Sequence, residues 1–193
     1  RLREPAKQSG VAALLGTMLE EGTPTRTGEQ IATLIEDAGG ALELSDAGGS
    51  LKVLTPDFDL GLDLLFDCLQ HPTFPADALE RKRDQLLSVI ADVETQPNNR
   101  AHALFNRLVY GDHPFGRSAY GRRKVVEKLT AADLRAFHAA AFTPDNTTVV
   151  VVGDVNTDDV AKKVAALTAG WKKGDGKAVG VKPPPAADKP TVK

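Results

Sequence analysis

Apolar positions along this chain follow two periods, and most of its elements can be read from where one gives way to the other. Residues 10–23, GVAALLGTMLEEGT, are apolar on nearly every side until two carboxylates and a Gly-Thr stop, the pattern of a short buried helix. Thr27, with Gln30 three residues on, forms a capping-box signature; Ile31, Leu34, Ile35 and Ala38 then recur at helical spacing, and Gly39-Gly40 ends the helix. Alternation with period two takes over in ALELSDAGGSLKVLT (41–55), which predicts a β-hairpin turning around Asp46-Ala47-Gly48-Gly49.

The helical period returns at Asp57, with Leu60, Leu62, Leu64, Leu65, Cys68 and Leu69 making a broad apolar face that HPTFPAD (71–77) breaks. A long charged helix is predicted from about Ala76 to Glu94, with Leu79, Leu86, Leu87 and Ile90 as its buried stripe; Pro97 ends it and a further helix covers Asn98 to Val109. YGDHPFGRSAYG (110–121) is turn-rich, and Thr130 caps a helix running through Phe142. The continuous β-branched run in NTTVVVVGDV (146–155) predicts a strand buried on both faces. Thr157 caps a last helix ending near Gly170-Trp171. From Lys172 onward Lys, Gly and Pro dominate, so residues 1–171 read as one domain and 172–193 as a linker.

Helices packed on one mostly antiparallel sheet define an α+β fold. The hairpin and the late strand give about three strands, a small sheet for so many helices, so further strands are expected ahead of Arg1 and an open or partner-filled sheet edge with them.

Composition narrows the function classes. An apolar fraction of 41% and a charged fraction of 26% are those of a globular chain able to bury a core. A net charge of −2, with no basic stripe, argues against nucleic acid as a partner. No apolar run is long enough to span a membrane, and RLREPAKQSG contains no apolar leader segment. Cys68 is the single cysteine, which excludes an internal disulfide and a cysteine metal cluster and leaves the compartment open between cytoplasm and periplasm.

GVAALLGTMLEEGT, IEDAGGALEL, HPTFPADALERKRDQL, LVYGDHPFGRSAYG and FHAAAFTPDNTTVVVVGDV occur here in one order. In that order they resemble the insulinase/pitrilysin-type metallopeptidases, the family of mitochondrial processing peptidase, over about residues 4–172. The resemblance implies one half of a clam shell that closes on a second homologous half around a peptide. It also implies, on the opening helix of active members, an inverted zinc motif H-x-x-E-H. Its two His share a helix face, its Glu acts as general base for zinc-bound water, and a later Glu completes three protein ligands.

Aligned on Gly10 and Gly22-Thr23, the three motif positions fall on Ala13, Gly16 and Thr17, none of them a useful metal ligand. Counting along the chain puts the third ligand near Glu94, whereas anchoring on HPTFPADALERKR puts it at Ser88 or Val89; Glu94 then reads as a solvated helix-end carboxylate. Glu20 and Glu21 read likewise. His71 and His113 precede prolines and read as turn residues, His102 and His138 as lone helix histidines, and no two His stand at i and i+4. No G-x-S-x-G nucleophile elbow and no phosphate-loop Lys occur.

Caps and core stripes are retained while the chemistry positions are replaced, so the resemblance implies a non-catalytic family member with no cofactor, zinc belonging to its active relatives. Its expected partner is a catalytic homologous subunit or a second half of the same protein, with peptide as the shared substrate. Two alternatives stay open: an active zinc endopeptidase using other ligands, and an interaction module unconnected with proteolysis.

Overall fold

The computed structural model describes residues 4–174 and 183–184. The helices are α1 (Val11–Met18), α2 (Gly28–Asp37), α3 (Phe58–Gln70), α4 (Ala76–Thr95), α5 (Pro97–Tyr110), α6 (Arg123–Val126), α7 (Ala131–Ala141) and α8 (Thr157–Thr168). Strands β1 (Ala41–Ser45) and β2 (Gly48–Lys52) pair antiparallel between α2 and α3, in the register Ala41 to Lys52 through Ser45 to Gly48. The fold is α+β, as expected. The expected linker 172–193 lies outside the described residues apart from 172–174 and 183–184.

Helix α1 is apolar all round because it is packed on several sides. Val11, Leu14, Leu15, Met18 and Leu19 are fully buried against α4, α7 and β1. Each fully buried side chain of this size contributes about 1.5–3 kcal/mol of transfer free energy, so this short helix organises the main core. Leu79, Leu86 and Ile90 of α4 and Leu134 and Phe137 of α7 close over it. Ile31, Ile35, Leu64 and Cys68 form a second cluster, against which Leu42, Leu44 and Leu51 of the hairpin pack. Burial pushes the Cys68 thiol up to about 12, so this side chain is a core hydrophobe rather than a nucleophile.

Helix starts follow local chemistry closely. Thr27 and Gln30 close the expected capping box on α2, and Thr130 with Asp133 closes another on α7. At α8 the cap is Asn156 rather than Thr157: its side-chain oxygen accepts from the amides of Asp158 and Asp159 at 2.9 and 3.1 Å. Asn ranks above Thr in this role, and Thr157 becomes the first helical residue.

Two glycines set the entrance to α1. Gly10 (φ 101°) and Gly121 (φ 86°) both lie in the left-handed region, and a Cβ on Gly121 would stand 2.4 Å from the Gly10 Cα. The chain ahead of α1 and the loop ahead of α6 cross here at backbone contact, which only glycine permits.

The expectation of a buried strand at 146–155 is corrected. Among the described residues this segment has no strand partner, and Val150 and Val152 are 79% and 93% exposed. A run of valines favours extended backbone, but a strand is buried only where neighbours pair with it and pack over it, and among the described residues only the hairpin forms a sheet.

Candidate functional site

The three motif positions lie together on α1. Ala13 is half-buried and offers a methyl group, Gly16 is buried with no side chain, and Thr17 is exposed, its hydroxyl donating to the Leu14 carbonyl at 2.9 Å. The surroundings of Gly16 are more decisive than its identity. A Cβ built there would lie 2.7 Å from the Asp46 amide nitrogen and 3.1 Å from the Ser45 carbonyl carbon. Both are main-chain atoms of the hairpin turn, so the space of a catalytic side chain is filled by backbone, and no rotamer of a neighbour relieves the contact.

On α4, the Ser88 hydroxyl donates to the Asp84 carbonyl at 3.0 Å within its own helix, and Val89 is 38% exposed. Glu94 is exposed in the last turn of α4, as a solvated carboxylate should be. A peptidase zinc needs three protein donors and an open fourth position. Ala13, Gly16, Thr17 and Val89 carry no strong donor, and the Ser88 hydroxyl is engaged, so this set does not fit a zinc ion. Among the described residues, no group of three or more His, Cys, Asp or Glu is placed to hold a metal.

Glu20 is exposed, in line with the solvated reading. Glu21 departs from it: Arg81 and Lys82 approach its carboxylate at 2.7 and 2.8 Å, tying the chain just beyond α1 to α4. His113 orders its turn, its Nδ1 accepting from the Phe115 amide at 3.2 Å. His71 meets Asp67 at 3.2 Å at the end of α3, and His102 is exposed on α5. His138 is a satisfied core-edge histidine. Its Nε2 donates to the Leu69 carbonyl at 2.8 Å, and its ring stacks on Phe142 at 5.0 Å. Burial holds its pKa below the usual histidine value, against the opposing pull of the Leu69 carbonyl.

Sequence reasoning passed over Glu4 and Arg83. Glu4 is 4% exposed, and its Oε1 accepts from the amides of Gly10 and Ala12 at 3.0 and 2.9 Å, capping α1 from outside the helix. Its Oε2 is buried without a hydrogen-bond partner among the described residues, and burial raises its pKa above the usual carboxylate range. A carboxylate shortly ahead of an apolar helix was the available signal, since anions favour helix N-termini. Buried Arg83 donates to the Leu129 carbonyl at 2.6 Å and pairs with Glu80, joining α4 to the segment before α7.

A cleft of about 760 Å³ lies between β2 with its hairpin turn on one side and residues 146–155 on the other. Its floor includes Leu62, Leu65 and Phe66 of α3, Phe137 and Phe142 of the α7 region, and Trp171. The Trp171 indole N–H is anchored on the Phe142 carbonyl at 3.1 Å.

Fold and packing together define an α+β domain whose opening helix, α1, is a core element. Residues 1–123 match the family described as insulinase (peptidase family M16), and residues 128–193 match the one described as the peptidase M16 inactive domain. The chain belongs to the insulinase family. The inactive-domain match begins after α1 and α4, so it does not bear on the motif positions.

An uncharacterized zinc protease of Mycobacterium leprae is 32% identical over 165 residues, 83% of this chain and 37% of that protein. The crystal structure of a peptidase M16 inactive domain from Pseudomonas fluorescens superposes with a TM-score of 0.83 at 29% identity, over 92% of this chain and 44% of that one. The first half of the periplasmic protease PqqL from Escherichia coli superposes at 0.75 and 17% identity, over 94% of this chain and 42% of that one, a likeness of fold alone. The chain thus spans well under half the length of the curated relatives it matches. None of its helices among the described residues is long and apolar enough to cross a membrane.

Proposed function

We propose that this chain is a non-catalytic homologue of a zinc metallopeptidase, residues 1–171 forming one half of a peptide-holding chamber and 172–193 the linker leading out of it. The other half is a catalytic homologous subunit or a second half of the same protein. The contact at Gly16 carries this reading: main-chain atoms of the hairpin turn stand where a general base would project. Ala13 and Thr17, one turn apart on the same helix, offer no imidazole, and Ser88 and Val89 offer no carboxylate. The core positions beside them on α1, Leu14, Leu15 and Met18, are fully buried, so the helix retains its structural task without its chemical one.

The test is zinc content after zinc loading and desalting, read together with hydrolysis of a peptide library. The expected result is substoichiometric zinc and no hydrolysis by this chain. The Ala13→His, Gly16→Glu, Thr17→His variant is expected to lose stability rather than gain tight zinc, because the glutamate stem must displace the hairpin backbone. One zinc per native chain with peptide cleavage overturns the proposal. That outcome would favour the second reading, an active zinc peptidase with ligands elsewhere, which draws its support from relatives described as zinc proteases.

A further inference from the structure

Helix α5 is amphipathic in the reverse sense of a helix packed on a core. Its half-buried residues are Asn99, Asn106 and Tyr110, and none of its residues is fully buried. Ala101, Leu104, Phe105, Leu108 and Val109, spaced i, i+3, i+4, i+7 and i+8, form one apolar stripe that faces water. Leu104, Phe105 and Leu108 are 58%, 60% and 55% exposed. Just past the helix, Phe115 packs edge-on against Tyr110 at 5.7 Å and stays exposed, as does Tyr120. Six of the eleven large apolar or aromatic side chains exposed among the described residues thus fall between Leu104 and Tyr120. Charge is segregated to the same stretch. From Asn98 to Lys124 the chain carries six Arg and Lys against one carboxylate, Asp112, in a protein whose net charge is −2. Arg100 and Arg107 stand one turn either side of Leu104, along one border of the stripe, and α5 contains no acidic residue; Glu94 and Asp112 lie beyond its two ends. Arg117 donates to the Glu4 and Asp112 carbonyls at 3.1 and 3.2 Å, and Arg122 to the Ala6 carbonyl at 2.9 Å. Main-chain oxygens fix these cations in place without neutralising them.

We propose that α5 docks this protein on an anionic lipid surface. The helix lies along the bilayer with Leu104, Phe105 and Leu108 inserted at the acyl boundary and Arg100 and Arg107 at the level of the phosphates, the arrangement of an interfacial helix. The long arginine stems reach outward from the apolar border, so insertion and charge pairing do not compete. A bilayer borders both compartments that the sequence leaves open. A second copy is disfavoured, because antiparallel pairing of two stripes would set their arginine borders side by side. A peptide ligand needs a concavity, whereas the stripe is a ridge, and no α5 residue lines the cleft beside the hairpin. None of the motif positions lies on α5, so lipid docking and catalytic silence stand or fall separately.

The experiment is co-sedimentation of the protein translated from its complete reading frame with vesicles of phosphatidylcholine, alone or with about 30% phosphatidylglycerol. Retention by the anionic vesicles about tenfold or more above the neutral ones at low salt, shrinking as salt rises, is the expected result. Phe105→Glu with Leu108→Glu should abolish it, and Arg100→Gln with Arg107→Gln should lower it about fivefold per charge removed. All four side chains are exposed, so unchanged urea midpoints are expected for both variants. Equal retention on both vesicle types, none on either, or retention indifferent to the glutamates overturns the proposal. A second measurement asks what covers the stripe: labelling of Phe105→Cys by a soluble maleimide, read in the tryptic peptide 101–107. Fast labelling in water, slowed about tenfold or more by anionic vesicles, is expected of an inserting residue. Slow labelling without vesicles overturns the proposal and assigns the stripe to a protein contact, which dilution then sorts into a second copy or a contact within the chain.

Discussion

Two apolar stretches of this chain meet opposite fates. Val11, Leu14, Leu15, Met18 and Leu19 are fully buried, whereas Val150 and Val152, in a run no less apolar, are 79% and 93% exposed. The first stretch recurs at a period that turns successive side chains towards α4, α7 and the hairpin, all of which residues 1–193 contain. The second needs a strand on its flank, which the described residues do not supply. Apolarity sets how much is gained by burial; neighbours decide whether burial happens.

The largest expected effect tests that contrast directly. Leu15→Ala should cost about 2–5 kcal/mol by urea denaturation, the range for a fully buried leucine leaving a cavity. Val152→Ala in the same chain should stay within about 0.5 kcal/mol, as surface substitutions do. Equal costs would break the comparison.

Next comes Gly16→Ala, expected to cost about 1–3 kcal/mol through overpacking against the Ser45–Asp46 backbone. A neutral result would show that the hairpin turn yields, and would remove the steric argument for a closed motif face.

Glu4→Ala should cost about 0.5–2 kcal/mol, the range for a lost helix cap. Glu4→Gln keeps an acceptor for the Gly10 and Ala12 amides and separates geometry from charge. Burial raises the folded pKa of Glu4, so its titration contributes stability below the ordinary glutamate value that is lost as pH rises through the folded one. Glu4→Gln should therefore gain on wild type as pH rises through that range, and parallel pH profiles would refute it.

The smallest effect concerns His138. Its folded pKa is depressed, so its contribution is complete above the unfolded value of about 6.5 and is lost as pH falls from there through the folded value. The urea midpoint should decline below that pH, and His138→Gln should flatten the decline.

Much of this was legible in residue order. The capping boxes at Thr27 and Thr130 involve partners three residues apart, so sequence spacing is also spatial spacing. The same holds for the turn at His113 and for the identities of Ala13, Gly16 and Thr17 at the motif positions. Glu4 was not legible as a cap, because its amide partners lie six and eight residues away across an irregular loop. The anchoring of Glu21 by Arg81 and Lys82 spans some 60 residues and could not be read from a helix-end pair of carboxylates.

By itself the sequence determined most of the helical segments, their apolar stripes and which side chains stand at the motif positions, since each depends on contacts within a few residues; it gave neither α6 nor the exposure of the valine run. Only the tertiary structure decided that the hairpin turn closes on Gly16 and that the valine run of 149–152 stands at an open cleft. Both depend on which elements meet across long stretches of chain, and residue periodicity carries no information about the atoms on the far side of a contact.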